Sequence, residues 1–129
     1  MRRIVLDAPA FVSWFGPDGA GRSLRVEYEA GALAIHVPPT FAADVLVALE
    51  RSLRLSGETL AAIAEQISRL RLEMREPSLS EVARWVARGL DGSQASYAAL
   101  ASQSDVPLVS GDPELLRHAA AVARPVDHW

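Results

Sequence analysis

The chain has 129 residues, half of them hydrophobic and 22% charged, with a formal net charge of −3. That length and balance fit one domain over residues 1–129 with a real core, and exclude a disordered chain. There is no cysteine, which excludes disulfides, thiol nucleophiles and cysteine-held metals. Residues 3–7 read as a first strand, three aliphatic residues running into Asp7. Pro9 sits where the first turn of a helix tolerates proline, and Phe11, Val12, Trp14 and Phe15 continue a short apolar helix. Gly16-Pro17-Asp18-Gly19 reads as a turn. A short helix is expected over 20–30, with Leu24 and Tyr28 on one face, stopped by Gly31. Ala32 to Val37 is a second strand. Pro38-Pro39-Thr40 then breaks the chain and offers a helix cap.

From Phe41 to about Leu55 the apolar residues cover a broad arc, which predicts a largely buried helix. Ser56 and the residues after it cap a second helix over about 57–71, and the two form a hairpin. Leu72 to Arg75 is a short third strand. Ser78-Leu79-Ser80-Glu81 has the form of a capping box and opens a helix through Trp85 that Gly89 ends. Asp91-Gly92-Ser93-Gln94 opens another, through Tyr97 and Leu100. Val106 to Val109 is a fourth strand, Asp112-Pro113 leads into a last short helix, and Val126 adds an edge strand. Strands and helices alternate throughout, which predicts a three-layer α/β/α sandwich around a parallel sheet with right-handed crossovers.

No apolar run approaches the ~20 residues that a membrane span needs. Asp7 also interrupts the N-terminal apolar run too early for a signal peptide, so a cytoplasmic protein with no membrane partner is expected. All 13 basic residues are arginine, and the net charge is acidic. Contact with nucleic acid would therefore depend on a local patch, for which the planar guanidinium suits phosphate. His36, His118 and His128 are too scattered for a metal site. Ser13, Ser96 and Ser110 have no neighbouring base that would make one a nucleophile.

Three acids are placed to converge. Asp7 ends strand one, Asp112 follows strand four, and Asp44 lies in the first turns of the helix after strand two. If strands one and four are neighbours, all three reach one sheet edge, where α/β sheets bind ligands. Packed carboxylates repel one another, and a divalent cation such as Mg²⁺ or Mn²⁺ neutralises them. Each acid also has a plainer reading: Asp112 before Pro113 is a good helix cap, and Asp44 is a favourable charge near a helix N-terminus.

The order and spacing of these elements resemble the PIN-domain family, which includes the VapC-like ribonuclease toxins of toxin–antitoxin pairs. Four pieces, spread over nearly the whole chain, carry the likeness. They are Ile4-Val5-Leu6-Asp7-Ala8; Pro38-Pro39 through Asp44-Val45-Leu46 to Ala48-Leu49; Gly89-Leu90 through Ala95-Ser96-Tyr97 to Ala99-Leu100-Ala101; and Pro107-Leu108-Val109-Ser110-Gly111-Asp112. The resemblance implies a metal-dependent endoribonuclease, with an RNA substrate, an antitoxin protein partner and a homodimer. It implies a catalytic set of Asp7, Asp44, Gln94 and Asp112, of which Asp7, Asp44 and Asp112 hold Mg²⁺ or Mn²⁺. Asp44 stands where the family usually has glutamate, Gln94 where it usually has aspartate, and Pro9 where it often has a hydroxyl. Gln94 would offer a neutral carbonyl as a weakened fourth ligand, or would cap its own helix as an Asp91-x-x-Gln94 box. Ser110 would orient Asp112 or a metal-bound water. Arg51, Arg22 and Arg25 would rim the cleft, and Trp14, Phe15 and Trp85 would belong to the core. The competing reading is a degenerate PIN-like domain that binds RNA or protein and cleaves nothing.

Overall fold

The computed structural model describes residues 1–15, 19 and 21–129. The turn expected over residues 16–19 lies outside them except for Gly19. Five strands form one sheet: β1 (Arg2–Leu6), β2 (Leu33–Val37), β3 (Glu73–Met74), β4 (Leu108–Ser110) and β5 (Ala123–Pro125). Their order is β3-β2-β1-β4-β5 and every pairing is parallel. Ile4, Val5 and Leu6 are all buried, as a central strand covered on both faces must be.

The helices are α1 (Ala8–Val12), α2 (Arg22–Glu29), α3 (Phe41–Leu53), α4 (Gly57–Ser68), α5 (Leu79–Val86), α6 (Gly92–Ser104) and α7 (Pro113–His118), with a 3₁₀ turn at Ser13–Phe15. Helix α3 packs on α1 and α4, while α5 packs on α6, which lies against β1 and β4. The architecture is the expected α/β/α sandwich. Helix α6 is buried on most sides through Ala95, Tyr97, Ala98, Ala99, Leu100 and Ala101. Its alanines let the middle of the helix sit close to the strands beneath, while its serine- and glutamine-bearing ends reach the surface.

Several expectations need correcting. Helix α3 buries only Phe41, Val45 and Leu49, and Val47 and Leu53 are exposed. One stripe meets α1 and α4, and among the described residues no further layer covers the rest of its apolar arc. Phe15 is 59% exposed, unlike Trp14 and Trp85. The fourth strand starts two residues later than expected. The edge strand is Ala123–Pro125 and ends just before Val126.

The order of strands fixes where a site can lie. From β1 the chain moves outward through β2 to β3, and from β4 it moves outward the other way to β5. The C-terminal ends of β1 and β4 therefore flank the topological switch point, the crevice in which open α/β sheets hold ligands. Asp7 directly follows β1, and Asp112 stands two residues beyond β4.

Candidate active site

A cavity of about 310 Å³ opens at that crevice, and Asp7, Asp44, Gln94 and Asp112 all line it. Arg51, Asp91, Ser93, Tyr97 and Pro9 also line it. Of the arginines expected on its rim, Arg51 is there. Arg25 instead pairs with Glu29 at 2.9 Å and borders an apolar groove with Trp14 and Phe15.

Asp7 is 2% exposed. It caps α1, its Oδ1 accepting the Ala10 N–H at 2.9 Å. Oδ1 also accepts the Gly111 N–H at 3.2 Å, and Oδ2 accepts the Ser110 hydroxyl. A Cβ at Gly111 would stand 3.0 Å from Pro9 and 3.1 Å from the Ala10 nitrogen. Glycine is what lets the β4–α7 turn come close enough to donate. Burial pushes the Asp7 carboxyl up to about 6, outweighing the Ser110, Ala10 and Gly111 donors that favour its charge, and nearby Asp112 adds to the rise. A group held near neutral pH in a cleft is a mark of functional sites.

Ser110 ties two acids together. Its hydroxyl donates to Asp7, and its oxygen accepts the Asp112 N–H at 2.9 Å. The sequence suggested a link from Ser110 to Asp112 and missed the link to Asp7. Asp112 caps α7, its Oδ1 accepting the Glu114 N–H at 2.9 Å. Asp44 is held by hydroxyls. Its Oδ2 accepts Tyr97 at 2.8 Å, Thr40 at 3.2 Å and Ser93 at 3.3 Å. Thr40 therefore makes no capping bond to the α3 backbone. Burial and the Asp44 carboxylate push the Tyr97 hydroxyl far above its ordinary value, so it stays a donor. Neither Tyr97 nor Ser93 carried a site role in the sequence, although the two stand one helical turn apart on α6.

Gln94 departs most from expectation. Its Oε1 accepts the Asp91 N–H at 3.0 Å, and Asp91 Oδ1 accepts the Gln94 N–H at 2.8 Å, a complete capping box. The carbonyl that would have served as a weak ligand is committed to the helix end. The other end of the amide faces the site, with Nε2 donating to Asp112 Oδ2 at 2.9 Å.

Hard carboxylate oxygens suit Mg²⁺ or Mn²⁺, and Asp7, buried against its charge, would gain most from a cation. The donor chemistry thus fits such an ion. Among the described residues, however, no three acidic or histidine side chains are gathered to hold one. The Gln94 amide stands against one of the three candidate carboxylates. Among those residues too, no helix is long and apolar enough to cross a membrane.

No family model matches the chain, and no curated protein matches it. Solved structures do. The chain is similar to PAE2754 from Pyrobaculum aerophilum, with a TM-score of 0.72 and 26% identity over 98% of this chain and 90% of that one. It is similar to FitAcB from Neisseria gonorrhoeae, with a TM-score of 0.70 and 14% identity over 98% and 99%. It is also similar to VapC20 from Mycobacterium tuberculosis, a sarcin–ricin loop cleaving toxin, with a TM-score of 0.65 and 12% identity over 92% and 94%. With the switch-point cavity between β1 and β4, these likenesses identify the fold of this chain as that of the VapC-like PIN domains.

Proposed function

We propose that the chain is a divalent-cation-dependent endoribonuclease, the toxin half of a toxin–antitoxin pair. The observation that carries this reading is that Asp7, Asp44 and Asp112 line one cavity at the switch point of a VapC-like fold. Asp7, Asp44 and Asp112 would hold Mg²⁺ or Mn²⁺, which when bound activates water and stabilises charge on a phosphodiester. Ser110 and the Ala10 and Gly111 N–H groups keep Asp7 in place. The hydroxyls of Tyr97, Ser93 and Thr40 all hold Oδ2 of Asp44, so that Oδ1 is the atom left for a ligand. Arg51 at the cavity wall supplies a positive charge for a phosphate of single-stranded or structured RNA.

The solved neighbours include VapBC2 and FitAB, which supports an antitoxin partner. The apolar groove beside Phe15 offers an amphipathic segment a seat. A homodimer and a cytoplasmic setting complete this reading. The Gln94 amide on Asp112 favours a second one, a PIN-like module that binds RNA or protein without cutting.

Calorimetric Mn²⁺ binding and RNA cleavage, measured side by side in the native protein and Asp7→Asn, separate the two. The nuclease reading expects native binding and cleavage that Asp7→Asn abolishes. A native protein that neither binds nor cuts overturns it in favour of the binding module.

A further inference from the structure

The orientation of the Gln94 amide is set at both ends. A backbone N–H can only donate, so the atom beside the Asp91 N–H must be Oε1. Nε2 is then left beside Asp112 Oδ2, where a carboxylate can only accept. A flipped amide would set donor against donor at one end and acceptor against acceptor at the other. Asp91 caps α6 and Asp112 caps α7, so this one side chain joins two helix N-termini at the cavity wall.

We propose that Gln94 is a positioning residue that takes over part of a cation's work at Asp112. It gives Asp112 a permanent donor and brings no charge of its own, so the Asp112 carboxylate is partnered without an ion. The same contact must be loosened before Asp112 can turn both oxygens to a metal, so the cation is held less tightly than the cavity would otherwise allow. An aspartate at 94 would do the reverse, adding charge that repels Asp112 until a cation arrives. The cation arm of this proposal rests on the reading given under Proposed function. The metal-free arm rests on the hydrogen bonds alone.

The test is thermal melting with and without MnCl₂, together with calorimetric Mn²⁺ titration, for the native protein, Gln94→Asp and Gln94→Ala. Without metal, Gln94→Asp is expected to melt below both the native protein and Gln94→Ala. Mn²⁺ is expected to raise its melting temperature more than that of either. Its Mn²⁺ affinity should exceed the native value by about tenfold, the scale on which partners of ligating groups act. Gln94→Ala, which frees Asp112 without adding charge, should bind Mn²⁺ more tightly than the native protein, and it alone decides the question if Gln94→Asp fails to fold. Equal or weaker Mn²⁺ affinity in both variants overturns the proposal, as does a metal-free Gln94→Asp that melts with the native protein. Binding by the variants with none by the native protein upholds the role of Gln94 and defeats the nuclease reading instead.

Discussion

Two neighbouring strands each carry a buried ionisable side chain, and the protein treats them differently. Asp7 follows β1 and is 2% exposed, while His36 lies in β2 and is 6% exposed. Asp7 receives three donors from two turns, Ala10 N–H on one side and Gly111 N–H and the Ser110 hydroxyl on the other. Neither ring nitrogen of His36 has a hydrogen-bond partner among the described residues. Its Nε2 lies 3.1 Å from Glu73 Oε2, near enough to feel that charge without being aligned for a bond. Burial drives both groups toward their neutral forms, Asp7 upward to about 6 and His36 downward from 6.5 against the pull of Glu73. Burial alone therefore does not mark a site. What distinguishes Asp7 is a surround built to receive negative charge, whereas His36 is only accommodated.

The largest expected effect tests that surround. The unfolded Asp7 carboxyl titrates near 3.8 and the folded one near 6. Protonated Asp7 is favoured by folding, so metal-free stability is full below about 4 and falls as pH rises to about 6. The loss is roughly 3 kcal/mol at ~1.4 kcal/mol per unit. Asp7→Asn carries no charge to bury. Without metal at pH 8 it should be more stable than the native protein by about 1–3 kcal/mol in urea melts, with the difference gone at pH 4. A native protein with no extra loss of stability between pH 4 and 6 would show that the turns satisfy the charge fully.

Ser110→Ala comes next. It leaves the burial and removes one donor, so at pH 8 it should cost about 1–3 kcal/mol, the range for leaving a buried acceptor unpaired. The cost should shrink at pH 4, where Asp7 is protonated. Loss of the Ser110–Asp112 N–H bond accompanies it, and that part of the cost does not follow the Asp7 titration. A pH-independent loss would mean that Ser110 serves the β4–α7 turn and not the carboxylate.

How far these features could be read in the sequence follows from their range. Asp7, Asp44 and Asp112 could be singled out because each breaks or ends an apolar run, and the alternation of elements carried the sheet. The cap that Asp7 makes is signalled by Pro9 at the second helical position, as that of Asp112 is by Pro113 at the first, whereas the apolar run before Asp7 signals only the strand. Gln94 had two readings in the sequence, ligand and capping box, that need the same oxygen. Local geometry awards it to the Asp91 N–H, and only the fold shows what the other end of the amide then meets. Asp44 and its hydroxyls, 49 and 53 residues apart for Ser93 and Tyr97, depend on how α3 lies against α6. The bare face of α3 and the exposed ring of Phe15 depend on partners that no periodicity specifies.

His36→Leu should give the smallest effect and completes the contrast. His36 is neutral when folded, and its folded titration lies below 6.5. The stability it leaves intact is therefore present above pH 6.5 and lost as pH falls below that value, because the unfolded chain takes up the proton first. This slope is opposite to that of Asp7. A leucine removes the proton acceptor from a buried position beside Ile35 and Val37. At pH 8 the change should stay within about 1 kcal/mol, since the imidazole gives up no hydrogen bond. As pH falls from 7 to 5, the variant should gain steadily on the native protein in urea melts. An unchanged gap would mean that the Glu73 charge, 3.1 Å from Nε2, already offsets the cost of burying the ring. His36 would then be provided for through charge, as Asp7 is through hydrogen bonds, and the contrast between the two strands would fail.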